Sequence, residues 1–273
     1  MSSPLDTLGP ADQFFRALVL EERGNYAEAK SVHDLAQTGL YTPEYLACWQ
    51  SQINYSLGWL ADSADPVVDL ASGRCTFVEQ LARSLKRFIV AADFSPRVLQ
   101  RDRLWLEAHG LYGQISLLAF DARRTPFKSG SIKTLTTNLG LPNIQKPDHL
   151  LRELRRIVDG TFLAISHFFP EKDEVNARQI SELGLTASLF RSTTLESLTS
   201  AGWQVEVMNT CSGKARPTPT SRYLAGARID SLPVTETLLE WCTLLATGQT
   251  RLSITLPMNT DDVPLSVNRS RSM

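Results

Sequence analysis

No two of the four cysteines, Cys48, Cys75, Cys211 and Cys242, lie close enough in sequence to form a CxxC pair. The chain therefore offers neither a zinc knuckle nor a disulfide framework, and the thiols read as reduced ones in a cytoplasmic protein. The histidines His33, His109, His149 and His167 likewise show no ligand spacing, so no metal is expected. Charge of one sign is also missing. The 28 basic and 29 acidic residues leave a net charge of -1, far from the cationic balance of a protein built to neutralise phosphates, and a nucleic-acid partner is disfavoured. Nowhere do about 18 apolar residues follow one another, as a membrane span requires. The opening MSSPLDTLGPADQ lacks the basic start and apolar run of a secretory leader. These absences predict a soluble, cytoplasmic protein acting on a small molecule, and they leave its oligomeric state open.

What is present is enough apolar material for one sizeable core and an appendage: 42% of the 273 residues are hydrophobic. From Ala11 to Leu60 the pattern is helical, clearest where Leu46, Trp49, Ile53, Leu57 and Leu60 recur at three- and four-residue spacing behind Thr42 and Pro43. The segment DSADP then breaks the helix, and residues 1–63 read as a helical N-terminal extension serving as a lid or pocket wall. Beyond Pro66, short apolar runs alternate with amphipathic stretches: VVDLA, a helix carrying Phe77, Leu81, Leu85 and Phe88, FIVAADF, a helix capped by Ser95 and Pro96, QISLLAF, SIKTLTTNLG, a helix from Asp148, and TFLAISHFF. Such alternation predicts βαβ units and a parallel sheet. A capping box at Thr193 and Glu196 marks a further short helix, and WQVEVM and SRYLAGARI supply two last strands. The expected fold is a three-layer Rossmann-like α/β sandwich over residues 64–248, with a mostly parallel seven-stranded sheet, followed by a disordered tail at 249–273.

The chemistry concentrates in PVVDLASGRCTF, a buried strand ending at Asp69 that runs into a small-residue loop before a helix. A carboxylate or phosphate ligand can approach backbone only where side chains are minimal, and the helix behind supplies free N–H groups. Asp93 ends the second strand twenty positions after Gly73 (93 minus 73), the offset at which an acid accepts hydrogen bonds from ribose hydroxyls in Rossmann folds. A nicotinamide site is disfavoured, because this loop holds a single glycine where G-x-G-x-x-G is needed.

VVDLASGRC, VAADFSP, LLAFDARRTPF and LLRELRRIVDGTFLAI follow one another in the order and spacing of class I S-adenosylmethionine-dependent methyltransferases. The resemblance spans roughly residues 64–230. It implies that Asp69, Leu70, Ala71, Ser72 and Gly73 hold the methionine part of the cofactor and that Asp93 binds the ribose. It further implies that Phe94 packs on the adenine, that Asp121 and Ala122 contact the adenine, and that Asn138 and Leu139 form the floor near the sulfonium. The chain departs from the family's D-x-G-x-G-x-G by placing Ala71, Gly73 and Cys75 at the three glycine positions, with Arg74 between the last two. Side chains there predict a narrowed site or a backbone that avoids positive φ.

Two readings of function follow: methyl transfer to an unidentified small acceptor, or a degenerate cofactor-binding protein with a regulatory or scaffolding role. Other residues carry structural alternatives. For Asp69 the alternative is a helix-capping acid, for Asp93 the N-terminal partner of the Ser95-Pro96 turn, and for Asp121 the acid that caps the ARRTPF turn. His167, after the fifth strand, is the candidate base if the acceptor is a hydroxyl. Tyr41, Tyr45, Trp49, Tyr55 and Trp59 divide between lid and core, and Lys214, Arg216 and Arg222 read as a solvated loop.

Overall fold

Apolar residues alternate along the central strands so that the sheet presents one hydrophobic set to each side. Val67, Ile89, Ala91, Leu163, Ile165 and Trp241 face one layer, whereas Val68, Val90, Ala92, Phe162, Ala164 and Leu244 face the other. The computed structural model describes residues 9–64, 66–217 and 232–248. It begins with three helices, α1 (Pro10–Glu22), α2 (Tyr26–Leu40) and α3 (Pro43–Leu60). The α/β part follows as β1 (Val67–Leu70), α4 (Thr76–Ser84), β2 (Ile89–Asp93), α5 (Pro96–Ala108), β3 (Ile115–Ala119), β4 (Ile132–Asn138), α6 (Pro147–Ile157) and β5 (Val158–Phe168). Helices α7 (Glu174–Glu182), α8 (Thr186–Leu189) and α9 (Arg191–Ser200) then lead to β6 (Trp203–Ala215) and β7 (Thr237–Gly248).

The seven strands form one sheet in the order β3-β2-β1-β4-β5-β7-β6. The first five are parallel to one another, and β7 runs antiparallel between β5 and β6. This is the three-layer, mostly parallel α/β sandwich with a helical extension that the sequence predicts. Helices α3, α4 and α5 pack on one face and α6 and α9 on the other. The strand order reverses between β1 and β4, so their carboxyl ends open a crevice there.

Several local expectations change. The seventh strand is Thr237–Gly248; SRYLAGARI, at 221–229, and the tail at 249–273 lie outside the described residues. Helix α4 stops at Ser84, leaving Phe88 exposed and off the apolar face. The capping box of Thr193 and Glu196 does not form, because α9 opens two residues earlier behind Phe190, and the Thr193 hydroxyl donates back to the Phe190 carbonyl at 3.3 Å. Arg216 is not part of a solvated loop. Its guanidinium donates to the carbonyls of Thr38 (3.1 Å), Leu40 (3.2 Å) and Tyr41 (3.1 Å), closing the carboxyl end of α2 where a cation also meets the helix dipole. Lys214 lies 3.6 Å from Glu236, and Arg222 is outside the described residues.

The caps at Thr42 and Ser95 form as expected, each hydroxyl accepting from the backbone three residues on, Tyr45 N at 3.1 Å and Val98 N at 3.3 Å. Helix α3 lies against β6 and β7, where a buried amide fixes its rotation. Gln52 donates to the Asn209 carbonyl at 2.7 Å and accepts from the Thr243 hydroxyl at 2.9 Å. Replacing Gln52 by leucine strands both partners inside the protein, so Gln52→Leu is expected to lower stability by about 1–3 kcal/mol in urea denaturation. A variant as stable as the parent contradicts this role for the amide.

Candidate active site

The turn from β1 into α4 has an unusual backbone. Ala71, Gly73 and Cys75, the three positions that align with the resembling family's glycines, all take left-handed φ, at 54°, 53° and 53°. Glycine adopts this conformation freely, whereas alanine and cysteine reach it only under constraint from their surroundings. The departures from the glycine pattern therefore do not make the backbone avoid positive φ. Their side chains also point elsewhere. Arg74 turns toward α1, and the Cys75 side chain is buried in the core, where burial pushes its thiol up.

The turn is held from three sides. Gly73 N donates to Asp93 Oδ2 at 3.0 Å, and the Ser72 N–H and hydroxyl donate to the Ala92 carbonyl at 3.0 and 3.2 Å. From β4, the Thr137 hydroxyl donates to the Leu70 carbonyl, and the Thr136 hydroxyl donates to Asp69 Oδ1, both at 2.7 Å. The loop after β4 closes on it so tightly that a Cβ at Gly140 would sit 2.8 Å from the Ala71 Cβ and 2.2 Å from the Thr137 hydroxyl oxygen. Asp69 is fully buried beneath the turn. Burial pushes its carboxyl up to about 7, Thr136 opposing and Asp93 adding to the rise.

Asp93 spans two elements, since its Oδ1 also accepts from Ser95 N at 3.0 Å where α5 begins. With Leu70, Ala71, Phe94, Asp121 and Ala122 it lines a cavity of about 410 Å³ at the carboxyl ends of β1 to β3. Phe94 projects into it with 75% of its surface exposed, although phenylalanine is usually buried. Asp121 both lines the cavity and grips Arg123, which donates through its backbone N and Nε to Oδ1 (both 2.9 Å) and through Nη2 to Oδ2 (2.7 Å). Those bonds hold the Asp121 carboxyl below its ordinary range. Phe120, Arg123, Asn143, Ile144 and Gln145 complete the lining; the sequence reading did not single them out, though they flank motifs it did. A second cavity of about 650 Å³ shares Asp93, Phe94 and residues 143–145 and runs to Lys146 and the α7–α8 turn at Gly184, Leu185 and Ser188.

Across the crevice, Asn138 accepts from the Trp49 indole at 3.1 Å, and Leu139, also left-handed at 56°, donates its N–H to the Ile165 carbonyl at 3.0 Å. Two residues past Ile165, His167 is packed among Trp241 (4.9 Å), Phe169 (5.9 Å) and Tyr45 (6.3 Å, ring centroids). Burial lowers its imidazole to about 4, and Nδ1 has no partner among the described residues. His167 is thus a neutral ring in an aromatic wall, not the unperturbed imidazole the sequence suggests. The structure brings Asp69, Leu70, Ala71, Ser72, Gly73, Asp93, Phe94, Asp121 and Ala122 to one edge of the sheet, places Asn138 and Leu139 beside them at the end of neighbouring β4, and keeps His167 within β5, paired with Trp241 of β7.

An open α/β sheet with a glycine-type turn and an acid at the end of β2 defines a Rossmann-like nucleotide-binding domain. A family model described as a methyltransferase domain matches residues 67–160. A demethylmenaquinone methyltransferase from Mycolicibacterium vanbaalenii is 35% identical over 106 residues, 38% of this chain and 42% of that protein. The chain spans about two fifths of the length of the curated relatives it matches. Among solved structures, the YcgJ protein of Bacillus subtilis superposes with a TM-score of 0.56 at 13% identity, covering 72% of this chain and 99% of that one. Geranyl diphosphate C-methyltransferase from Streptomyces coelicolor, solved with S-adenosyl-L-homocysteine, superposes with a TM-score of 0.52 at 12% identity, covering 73% and 79%. Residues 67–160, about a third of the chain, are thus similar to a methyltransferase domain, the kind that takes S-adenosylmethionine as its cofactor, and the fold is shared with these solved structures.

The residues present fit that cofactor. The cavity is of small-ligand size; Arg74 and Cys75 lie outside its lining and that of the larger one, and Arg74 instead lines a smaller cavity of about 190 Å³ with Glu21, Trp49 and Asp102. Among the described residues no helix is long and apolar enough to cross a membrane, and no group of three or more His, Cys, Asp or Glu is placed to hold a metal ion.

The buried acid gives a pH test. Because Asp69 keeps its proton to about pH 7 in the folded chain, whereas an unfolded aspartate releases it near 4, its contribution to stability falls as pH rises through that window. His33 and His167, lowered to about 4, act oppositely below about 6.5, and Asp102, raised to about 7, acts with Asp69. Asparagine cannot titrate. The stability of Asp69→Asn relative to the parent is expected to grow between about pH 4 and 7, by up to ~1.4 kcal/mol per unit, and to be level outside that window. A pH-independent difference in denaturation experiments contradicts the assignment.

Proposed function

We propose that the protein transfers a methyl group from S-adenosylmethionine to a small-molecule acceptor. The single observation that carries this reading is the β1–α4 turn, which keeps left-handed φ at residues 71, 73 and 75 even where alanine and cysteine replace glycine. Alanine and cysteine bear strain in that conformation, and backbone strain of this kind concentrates at ligand sites, which supports the reading. Bound there, the cofactor supplies an electrophilic methyl group on a sulfonium, and the chain contributes mainly alignment.

Asp93 is the ribose ligand in this account. Its two oxygens each accept one backbone N–H, and a carboxylate offers roughly four acceptor sites, so one remains on each oxygen for a ribose hydroxyl. Phe94 with its exposed ring, Ala122, and Asp121 steadied by Arg123 would hold the adenine. The turn from Asp69 to Gly73 receives the methionine part, with Asn138 and Leu139 as the floor below the sulfonium. The acceptor lies in the larger adjoining cavity or against the aromatic wall of Tyr45 and His167, where a neutral imidazole orients a polar group more readily than it removes a proton. The net charge of -1 and relatives named for demethylmenaquinone both support a small acceptor over a nucleic acid.

The competing reading, a cofactor-binding protein without catalysis, is motivated by Arg74 and Cys75. Neither side chain lines the cavity at Asp93 and Phe94, which favours methyl transfer.

Calorimetry against S-adenosylhomocysteine, S-adenosylmethionine and NAD tests the reading: binding of the first two and not the third is expected, and a methyl-transfer screen then separates enzyme from binder. Asp93→Ala is expected to weaken S-adenosylhomocysteine by roughly 30- to 1000-fold, the loss of two charge-assisted hydrogen bonds worth about 2–4 kcal/mol. A variant that melts like the parent and binds the ligand unchanged removes Asp93 from the site.

A further inference from the structure

The β1–α4 turn is tied to β2 through Asp93 and Ala92, and in the opposite direction it reaches the N-terminal extension through Arg74. The Arg74 guanidinium pairs with Glu21 at the end of α1 and lies over the Phe14 ring, 5.5 Å from its centroid. Glu21 is a buried carboxylate, its side chain 4% exposed, and a second cation, Arg101, stands 3.9 Å from it. An acid is tolerated in that position because arginines meet it; stripped of them it would be an unpaired buried charge.

The apolar attachment of the α1–α2 hairpin is slight by comparison. Ala17, Leu20, Ala29 and Val32 form a small cluster against Trp105 of α5, and alanines contribute little area to hold a helix pair in place. The hairpin therefore depends on its polar ties, of which Arg74–Glu21 is the one made to the turn. The turn in turn needs external support, because Ala71 and Cys75 hold left-handed backbone that relaxes unless neighbours fix it.

We infer that Arg74 and Glu21 are positioning residues for the cofactor, joining the docking of α1–α2 to the shape of the turn. The inference rests on the functional reading above. A hairpin docked through Glu21 holds the turn in its binding form, and a ligand that fixes the turn tightens the hairpin by the same factor, since coupling between two sites is reciprocal. The arginine within the glycine loop is then an anchor, not a lesion in the site.

The test uses the full chain, calorimetry with S-adenosylhomocysteine, and hydrogen exchange with and without that ligand. Glu21→Gln leaves Arg74 and Arg101 without their acid and risks the fold. The double variant Glu21→Leu with Arg74→Met removes both charges together, a replacement that buried pairs commonly tolerate. In the parent, the ligand is expected to slow exchange in α1 as well as in the turn. In the double variant, affinity is expected to fall by roughly tenfold and the slowing in α1 to vanish. A merely structural salt bridge would lower the melting temperature yet leave ligand-induced slowing in place. Parent-like affinity in the double variant, or an α1 indifferent to ligand in the parent, overturns the coupling. Failure of the parent to bind S-adenosylhomocysteine overturns the functional reading instead.

Discussion

Within five residues the chain must leave β1, turn at the crevice and enter α4, and left-handed φ at alternate positions is what makes the turn that short. Everything nearby serves that backbone. Asp93 and Ala92 hold it from β2, Thr137 holds Leu70 from β4, and Asp69 fills the space beneath with a carboxyl that burial keeps protonated to about pH 7. Non-glycine residues in this conformation carry strain that only surrounding structure maintains. The density of bonds converging on residues 70–75 is what maintains it here.

The sheet places that turn. Parallel pairing of β1 with both β2 and β4 sets the switch point, and the antiparallel β7 lets the sheet extend past β5 while offering α3 a buried surface. Through Gln52 the helix is fixed in rotation, which brings Trp49 to Asn138 and Tyr45 to His167. The extension packs on the α/β part, with α3 against β6 and β7 and α1–α2 beside α5.

Much of this was legible in the sequence, and the exceptions have physical causes. Strands β1 to β5 announce themselves because apolar runs alternate with amphipathic helices punctuated by Pro and Gly. Asp93 is legible from its offset alone. Strand β7 is not, because TLLEWCTLLATG is covered on both faces in its middle, so the polar alternation that marks a half-buried strand is absent. The Thr193 capping signal loses to a helix that starts earlier, behind Phe190. Arg74 reads as a defect in a motif when its partner is 53 residues back in the chain. His167 is legible as a strand-end residue, but the rings of Tyr45 and Trp241 that bury it come from distant segments, and with them goes its basicity.

The account stands or falls on whether the left-handed turn is a cofactor seat. A crystal structure of the protein with S-adenosylhomocysteine decides this most directly. The account predicts residues 71, 73 and 75 still at positive φ, the ribose hydroxyls within hydrogen-bond distance of Asp93, and the adenine against Phe94. Ligand bound elsewhere, or a turn that refolds to negative φ around it, would contradict the account.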